Sequence, residues 1–205
     1  MKLKIFVISC VLTLAACAGQ PPRPQAPALV CSADTQSETC KLQIAALPAE
    51  VDAHWAMTGR VAMVSGTQSG NARIEWQQQG AEGYRVMLSA PLTRQSWQLS
   101  VADDGAVIHG LLEGARHGAD AQILLREITG WDIPVSALQH WLRGRPAPDM
   151  AVLQYRFAAD GRLLGLVQNG WHIEFTPGGQ WPARISASQG QNRVRLVVDT
   201  WSEAQ

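Results

Sequence analysis

The chain has 205 residues, 46% of them hydrophobic, with 17 basic and 17 acidic side chains and no formal net charge. This supplies one domain with its own core and falls short of two. The arginines are scattered and Lys41 is the only lysine after Lys4, so the basic stripe that a nucleic-acid surface requires is absent and no nucleic-acid partner is expected.

In chain order, Lys2 and Lys4 form a basic start, and Ile5 to Ala16 form an apolar run too short for a permanent bilayer span. The run ends in Leu14-Ala15-Ala16-Cys17, small residues leading to a cysteine, which reads as a lipobox. Residues 1–16 are therefore expected to be a lipoprotein signal peptide, with Cys17 as the lipid-carrying first residue of a protein facing the periplasm. Ala18 stands where an aspartate would signal retention in the inner membrane, which points to the outer membrane. Nothing after residue 17 reaches eighteen consecutive apolar residues, so the lipid is the expected membrane attachment.

Residues 17–40 read as the lipidated cysteine and an extended tether, because Pro21, Pro22, Pro24 and Pro27 lie among small and polar residues. Cys10 leaves with the signal, and Cys31 and Cys40 remain in an oxidising compartment where they could form a disulfide. Such a bridge would close a short loop in the tether, contributing about 3 kcal/mol or less in the chain-entropy model.

Residues 41–205 form the expected domain. Leu42, Ile44, Ala45 and Ala46 give a weak helical pattern within residues 41–55, broken by Pro48. The period then changes to two. Strands are predicted over residues 55–64, 71–77, 84–89, 96–102 and 106–111, with turns such as Asp104-Gly105 between them. Ala72, Ile74 and Trp76 share one face and Arg73, Glu75 and Gln77 the other, the pattern of an antiparallel sheet with one covered face. Ala121, Leu124, Leu125 and Ile128 make a helical stripe ended by Gly130, and Leu138, Trp141 and Leu142 a second, ended by Gly144 and Pro146. Ser136 and Gln139 have capping-box spacing at the start of the second helix. Strands resume over residues 152–157, 163–169, 171–175, 184–188 and 193–201. The expectation is a mainly β, α+β domain: a curved antiparallel sheet forming an incomplete barrel, with two or three helices on its concave side.

Enzyme chemistry finds no recognisable constellation, so no catalytic residue, metal or cofactor is expected. His54, His109, His117, His140 and His172 lack metal-ligand spacing, and neither a Gly-x-Ser-x-Gly elbow nor a phosphate-binding glycine loop occurs. Eight tryptophans against three phenylalanines and two tyrosines leave two readings, a solid core or the lining of a cavity for apolar ligands. Ser89-Ala90-Pro91-Leu92-Thr93 falls between two strands, where Pro91 suits a turn and sets Leu92 at its tip, beyond burial by its own sheet.

Together these residues resemble the outer-membrane lipoprotein receptor LolB family. The resemblance rests on Trp55 with Thr58-Gly59-Arg60, Glu75-Trp76-Gln77-Gln78, Tyr84-Arg85 leading to Pro91-Leu92, and Thr129-Gly130-Trp131-Asp132-Ile133-Pro134-Val135 leading to Trp141-Leu142 and Gly144. It continues through Gln168-Asn169-Gly170-Trp171 to Asp199-Thr200-Trp201, and it covers nearly the whole mature domain. It implies an incomplete barrel with a helical lid over an apolar cavity. It also implies acceptance of lipoproteins from a soluble, LolA-like periplasmic carrier and their insertion into the outer membrane. The expected partners are that carrier, the cargo's acyl chains and outer-membrane lipid, with the domain acting as a monomer. Trp55, Trp76, Trp141 and Trp171 are the expected acyl-chain cavity residues, and Pro91, Leu92 and Thr93 the membrane-insertion loop. Many relatives carry glycine where this chain has Thr93, a β-branched residue that tolerates positive φ poorly. The carrier itself shares the fold, and the lipobox argues against that assignment. A structural or envelope-assembly lipoprotein with a solid core is the remaining alternative.

Replacing Cys17 with serine removes the only acceptor for the lipid. The variant is expected to leave the membrane fraction for the soluble periplasm, which fractionation and a globomycin block of signal cleavage in the parent would register.

Overall fold

The computed structural model describes residues 27–34, 37–47, 54–81, 83–90, 95–148 and 150–202. The signal peptide, Cys17, the tether up to residue 26, Pro48, and the Pro91-Leu92-Thr93 segment lie outside the described residues.

Inward and outward side chains alternate along β2 (His54–Ser65), so Trp55, Met57, Val61 and Met63 are buried while His54, Arg60 and Val64 face water. The same period of two carries Ile74, Trp76 and Gln78 inward on β3 (Gln68–Gln79). The chain continues through β4 (Tyr84–Ala90), β5 (Gln95–Ala102), β6 (Gly105–His109) and β7 (Arg116–Gly118). After two helices come β8 (Val152–Phe157), β9 (Leu163–Gln168), β10 (Trp171–Gly178), β11 (Trp181–Gln189) and β12 (Asn192–Ser202). With β1 (Leu29–Ser32), the strands form one antiparallel sheet in the order β1-β8-β9-β10-β11-β12-β2-β3-β4-β5-β6-β7. The sheet ends in β1 and β7 and is not closed into a barrel.

Chain ends meet at the β2–β12 seam. The hydroxyls of Thr58 and Thr200 are 2.8 Å apart, and Arg60 donates to the Asp199 carboxylate at 2.9 Å. Gly59 sits where β12 shifts register between Val198 and Thr200, and a Cβ there would collide with the Val197 carbonyl oxygen. Only glycine permits this approach.

Three helices accompany the sheet. α1 (Glu38–Ala45) begins three residues before the predicted pattern, buries only Cys40, and ends before Pro48. α2 (Ala121–Thr129) is capped by Asp120, whose carboxylate accepts from Ile123 N at 2.7 Å, and stops at Gly130 in the left-handed region (φ 73°). α3 (Val135–Leu142) has Pro134 at its N-cap position without a side-chain cap bond. The Ser136–Gln139 capping box is not formed because the helix starts one residue too early for it.

The expected tether is shorter than residues 17–40. Leu29 pairs with Phe157 and Ser32 with Gln154, so β1 covers the β8 edge of the sheet. Cys31 and Cys40, both buried, are joined by a disulfide and pack with Phe157 in a small second core. The bridge therefore fastens α1 to the sheet instead of closing a loop in a linker.

Strand pairing defines two ends. Leu29, the start of β2, the β8–β9 hairpin and the β10–β11 hairpin gather at a proximal end. The β2–β3, β9–β10 and β11–β12 hairpins, the β6–β7 loop and the joined ends of β4 and β5 gather at the distal end. No helix among the described residues is long and apolar enough to cross a membrane.

Replacing both Cys31 and Cys40 with alanine is expected to lower stability by about 2–3 kcal/mol without unfolding the main core, as read by chemical denaturation.

Candidate functional site

Helices α2 and α3 lie on the concave face, and between them and the sheet is a wholly apolar cavity of about 50 Å³. Its walls come from Val61 and Met63 of β2, Ile74 and Trp76 of β3, Val86 and Leu88 of β4, and Trp97 and Leu99 of β5. Leu125, Trp131, Ile133, Val135, Leu138 and Leu142 close it from the helical side. A single water needs roughly 10–15 Å³ on this scale, so this conformation has space for a few small groups and not for an acyl chain.

Two buried glutamines hold α3 against the sheet. Gln168 is fully buried; its carbonyl oxygen accepts from Trp141 Nε1 at 2.8 Å and Ala147 N at 2.9 Å. Its amide nitrogen donates to the Ala147 and Met150 carbonyls, both at 2.7 Å. Gln78 accepts from Trp76 Nε1 at 3.0 Å and donates to Gln139 on α3 at 2.9 Å and to the Gly80 carbonyl at 3.0 Å. Each amide has several partners, as burial requires.

A separate polar cluster fixes the α2–α3 linker at the distal end. Asp132 N donates to Ser65 Oγ at 3.2 Å, Ser65 donates to Asn192 Oδ1 at 3.0 Å, and Gln122 donates to the Asp132 carboxylate at 3.2 Å. These bonds seat Trp131 beside Gly70, where a Cβ would come within 3.2 Å of the indole, and 6.1 Å from the Trp97 ring.

Of the tryptophans expected to line the cavity, Trp76 does so. Trp55, Trp141 and Trp171 are buried elsewhere in the core. Trp55 lies between Trp76, with ring centroids 6.0 Å apart, and Trp201 at 5.6 Å. Trp141 points toward β9 and packs against Trp171 at 5.9 Å. Trp97 and Trp131 take the lining positions instead. Their sequence signals were the inward alternation of Trp97, Leu99 and Val101, and the place of Trp131 between two helical stripes. Pro91, Leu92 and Thr93 belong to the connection between the distal ends of β4 and β5, outside the described residues.

Charge stays away from the cavity. Burial pushes the Tyr84 phenol well above its ordinary range, with Asp120 adding to the effect, and the ring stacks on Trp76 at 4.9 Å. At the proximal end the buried Arg143 guanidinium lies over Trp181 at 4.3 Å and Trp55 at 5.5 Å. A groove of about 440 Å³ beside it is bordered by α1 and by Arg145, Arg162 and Trp181. Hydrogen bonds from Arg162 hold the exposed Asp160 carboxyl below its usual range. Among the described residues no three histidine, cysteine or acidic side chains are grouped to hold a metal ion.

Gln168→Leu leaves Trp141 Nε1 and Ala147 N buried without acceptors and is expected to cost at least about 2 kcal/mol in urea unfolding. Gln189→Ala, which removes an exposed bond to the Asn169 carbonyl, should change stability by less than about 0.5 kcal/mol.

The model of the family described as "Outer membrane lipoprotein LolB" matches residues 53–201. A protein of Xanthomonas euvesicatoria pv. vesicatoria named outer-membrane lipoprotein LolB is 40% identical over 200 residues, covering 92% of this chain and 91% of its own. One of the same name from Xylella fastidiosa is 38% identical over 161 residues, covering 73% of this chain and 72% of its own. Among solved structures, a LolA superfamily protein from Nitrosomonas europaea is similar with a TM-score of 0.43 and 10% identity, covering 74% of this chain and 86% of that one. The family match spans all the main strands from β2 to β12 together with the lid, and it places this chain in the outer membrane lipoprotein LolB family.

Proposed function

We propose that this lipid-anchored domain accepts the acyl chains of lipoproteins from a soluble periplasmic carrier and passes them to the inner leaflet of the outer membrane. The observation that carries this reading is the cavity under the helices, whose every wall residue is apolar. The transfer makes and breaks no covalent bond. A chain of about 14 methylenes at roughly 0.8 kcal/mol each is favoured by some 11 kcal/mol over water, so release into water is too slow to serve. Carrier and receptor must exchange the chain directly, with affinity rising from carrier to receptor to bilayer.

Because the empty cavity is small, acceptance requires the lid to shift. The buried amide bonds of Gln78 and Gln168 hold α3. α2 buries only Leu124 and Leu125 and reaches its surroundings through the Asp120 cap and the single Gln122–Asp132 bond, making it the less costly element to move. The smallness of the cavity also favours the rival reading, a structural lipoprotein with a solid core. The tether permits either end of the domain to meet the membrane, since the residues from Cys17 to Ala28 reach at most about 36–40 Å, near the length of a twelve-residue strand.

Incubating the soluble Cys17→Ser domain with a lipoprotein-loaded carrier is expected to move cargo onto the domain. An added fatty acid should change the fluorescence of Trp76, Trp97 and Trp131. No transfer together with no fatty-acid binding would establish the solid-core reading. For the proposed insertion loop, Leu92→Glu should leave acceptance intact and reduce insertion into vesicles, because a carboxylate resists entry into lipid. A two-stage assay that scores acceptance and insertion separately reads both outcomes.

A further inference from the structure

We propose that Leu112, in the β6–β7 loop at the distal end, is a second membrane contact that enters the bilayer beside the β4–β5 connection. The proposal rests on the reading that the distal end delivers cargo to lipid. Leu112 is 101% exposed, as open as in an isolated peptide, while its neighbour Leu111 packs against the core. A turn closed by Gly114 N donating to the Leu111 carbonyl at 3.1 Å holds the leucine at the tip. Gly110 (φ 91°) lies so close to β5 that a Cβ would collide with the Ser96 carbonyl oxygen. The tip is thereby fixed next to the strand that begins at Gln95, directly after the β4–β5 connection.

Independent features of the same end agree. Val64, on the outer face of β2, is 39% exposed. Trp97 and Trp131 are each half-buried, one side walling the cavity and the other reaching solvent, a division suited to an indole at a lipid boundary. Apolar groups that face water thus collect around the end of the cavity sealed by the α2–α3 linker.

The chemistry of the tip selects lipid over protein. A stable protein interface needs on the order of 800 Å² of matched surface on each side. A lone leucine beside the exposed Glu113–Arg116 pair, 3.9 Å apart, offers no such surface. A bilayer accepts side chains one at a time and gains from each apolar group buried. Anchored through its lipid, the domain has a bilayer within reach. Leu112 and the β4–β5 connection, on adjoining loops, would give two points of insertion that point the distal end of the cavity at the leaflet.

The test uses the Cys17→Ser domain and vesicles of phosphatidylethanolamine and phosphatidylglycerol. Leu112→Glu is expected to weaken vesicle binding by about tenfold or more, and Leu112→Phe to preserve it. A Leu112→Cys variant carrying an environment-sensitive dye should shift to shorter wavelength when vesicles are added, with the melting temperature of each variant confirming its fold. Unaltered vesicle binding by Leu112→Glu, or a dye that stays in water, overturns the proposal and leaves the transfer reading standing. Loss of cargo acceptance from the carrier by Leu112→Glu also overturns it, moving the residue to a protein interface. Leu112-dependent vesicle binding by a parent domain that accepts no cargo would instead retain the membrane contact and remove the transfer reading.

Discussion

The structure depends on covering a concave apolar sheet without filling it, and the device that does so is a pair of buried amides. Gln168 ties Trp141 and the segment after α3 to β9, while Gln78 ties Trp76 and Gln139 together across the other flank. Hydrophobic contact alone would let a short helix slide or sink into the sheet, since it is non-directional. Directional hydrogen bonds at fixed distances set a standoff. Neither glutamine could release its partners without stranding polar groups in the core, so α3 behaves as part of the frame.

The remaining lid is held by weaker means. The linker between α2 and α3 is attached at the distal end by Ser65, Asn192 and Asp132, all at the tips of hairpins or in the linker itself. Water competes for such groups more readily than for the interior amides, which separates a rigid helix from a more easily displaced one. Proximally, the Cys31–Cys40 bridge and the Gln43 bond to the Gly161 carbonyl hold α1 against the β8–β9 hairpin. Covalent and buried restraint thus concentrates toward the anchor, and exposed apolar groups concentrate at the opposite end.

This division agrees with a protein that handles lipid without chemistry. The titratable groups whose properties the fold perturbs, Tyr84 and the Asp160–Arg162 pair, lie outside the cavity walls. Aromatic contacts run from Tyr84 through Trp76 and Trp55 to Trp201 and Trp181, stiffening the sheet beside the cavity instead of furnishing a reactive centre.

Sequence by itself determined the strands of the main sheet, because side chains that alternate about a half-buried strand leave a period of two, as in Ala72, Ile74 and Trp76. It also determined α2 and α3, whose stripes and terminal glycines are local properties, and the family, through motifs such as Thr58-Gly59-Arg60 that prove to pair with Asp199-Thr200-Trp201. It missed β1 and β7 because four and three residues are too few to show a period; both exist through pairing with distant strands. It misplaced the start of α1, whose placement comes from the disulfide and the sheet edge more than from its own weak pattern. Tertiary structure alone decided which indoles line the cavity. Trp97 and Trp141 both sit on apolar stripes, and only the position of Gln168 turns Trp141 toward β9 while Trp131 closes over Trp97. A local pattern records which face of an element is apolar, whereas a cavity is what several such faces leave between them once polar bonds have fixed their separation.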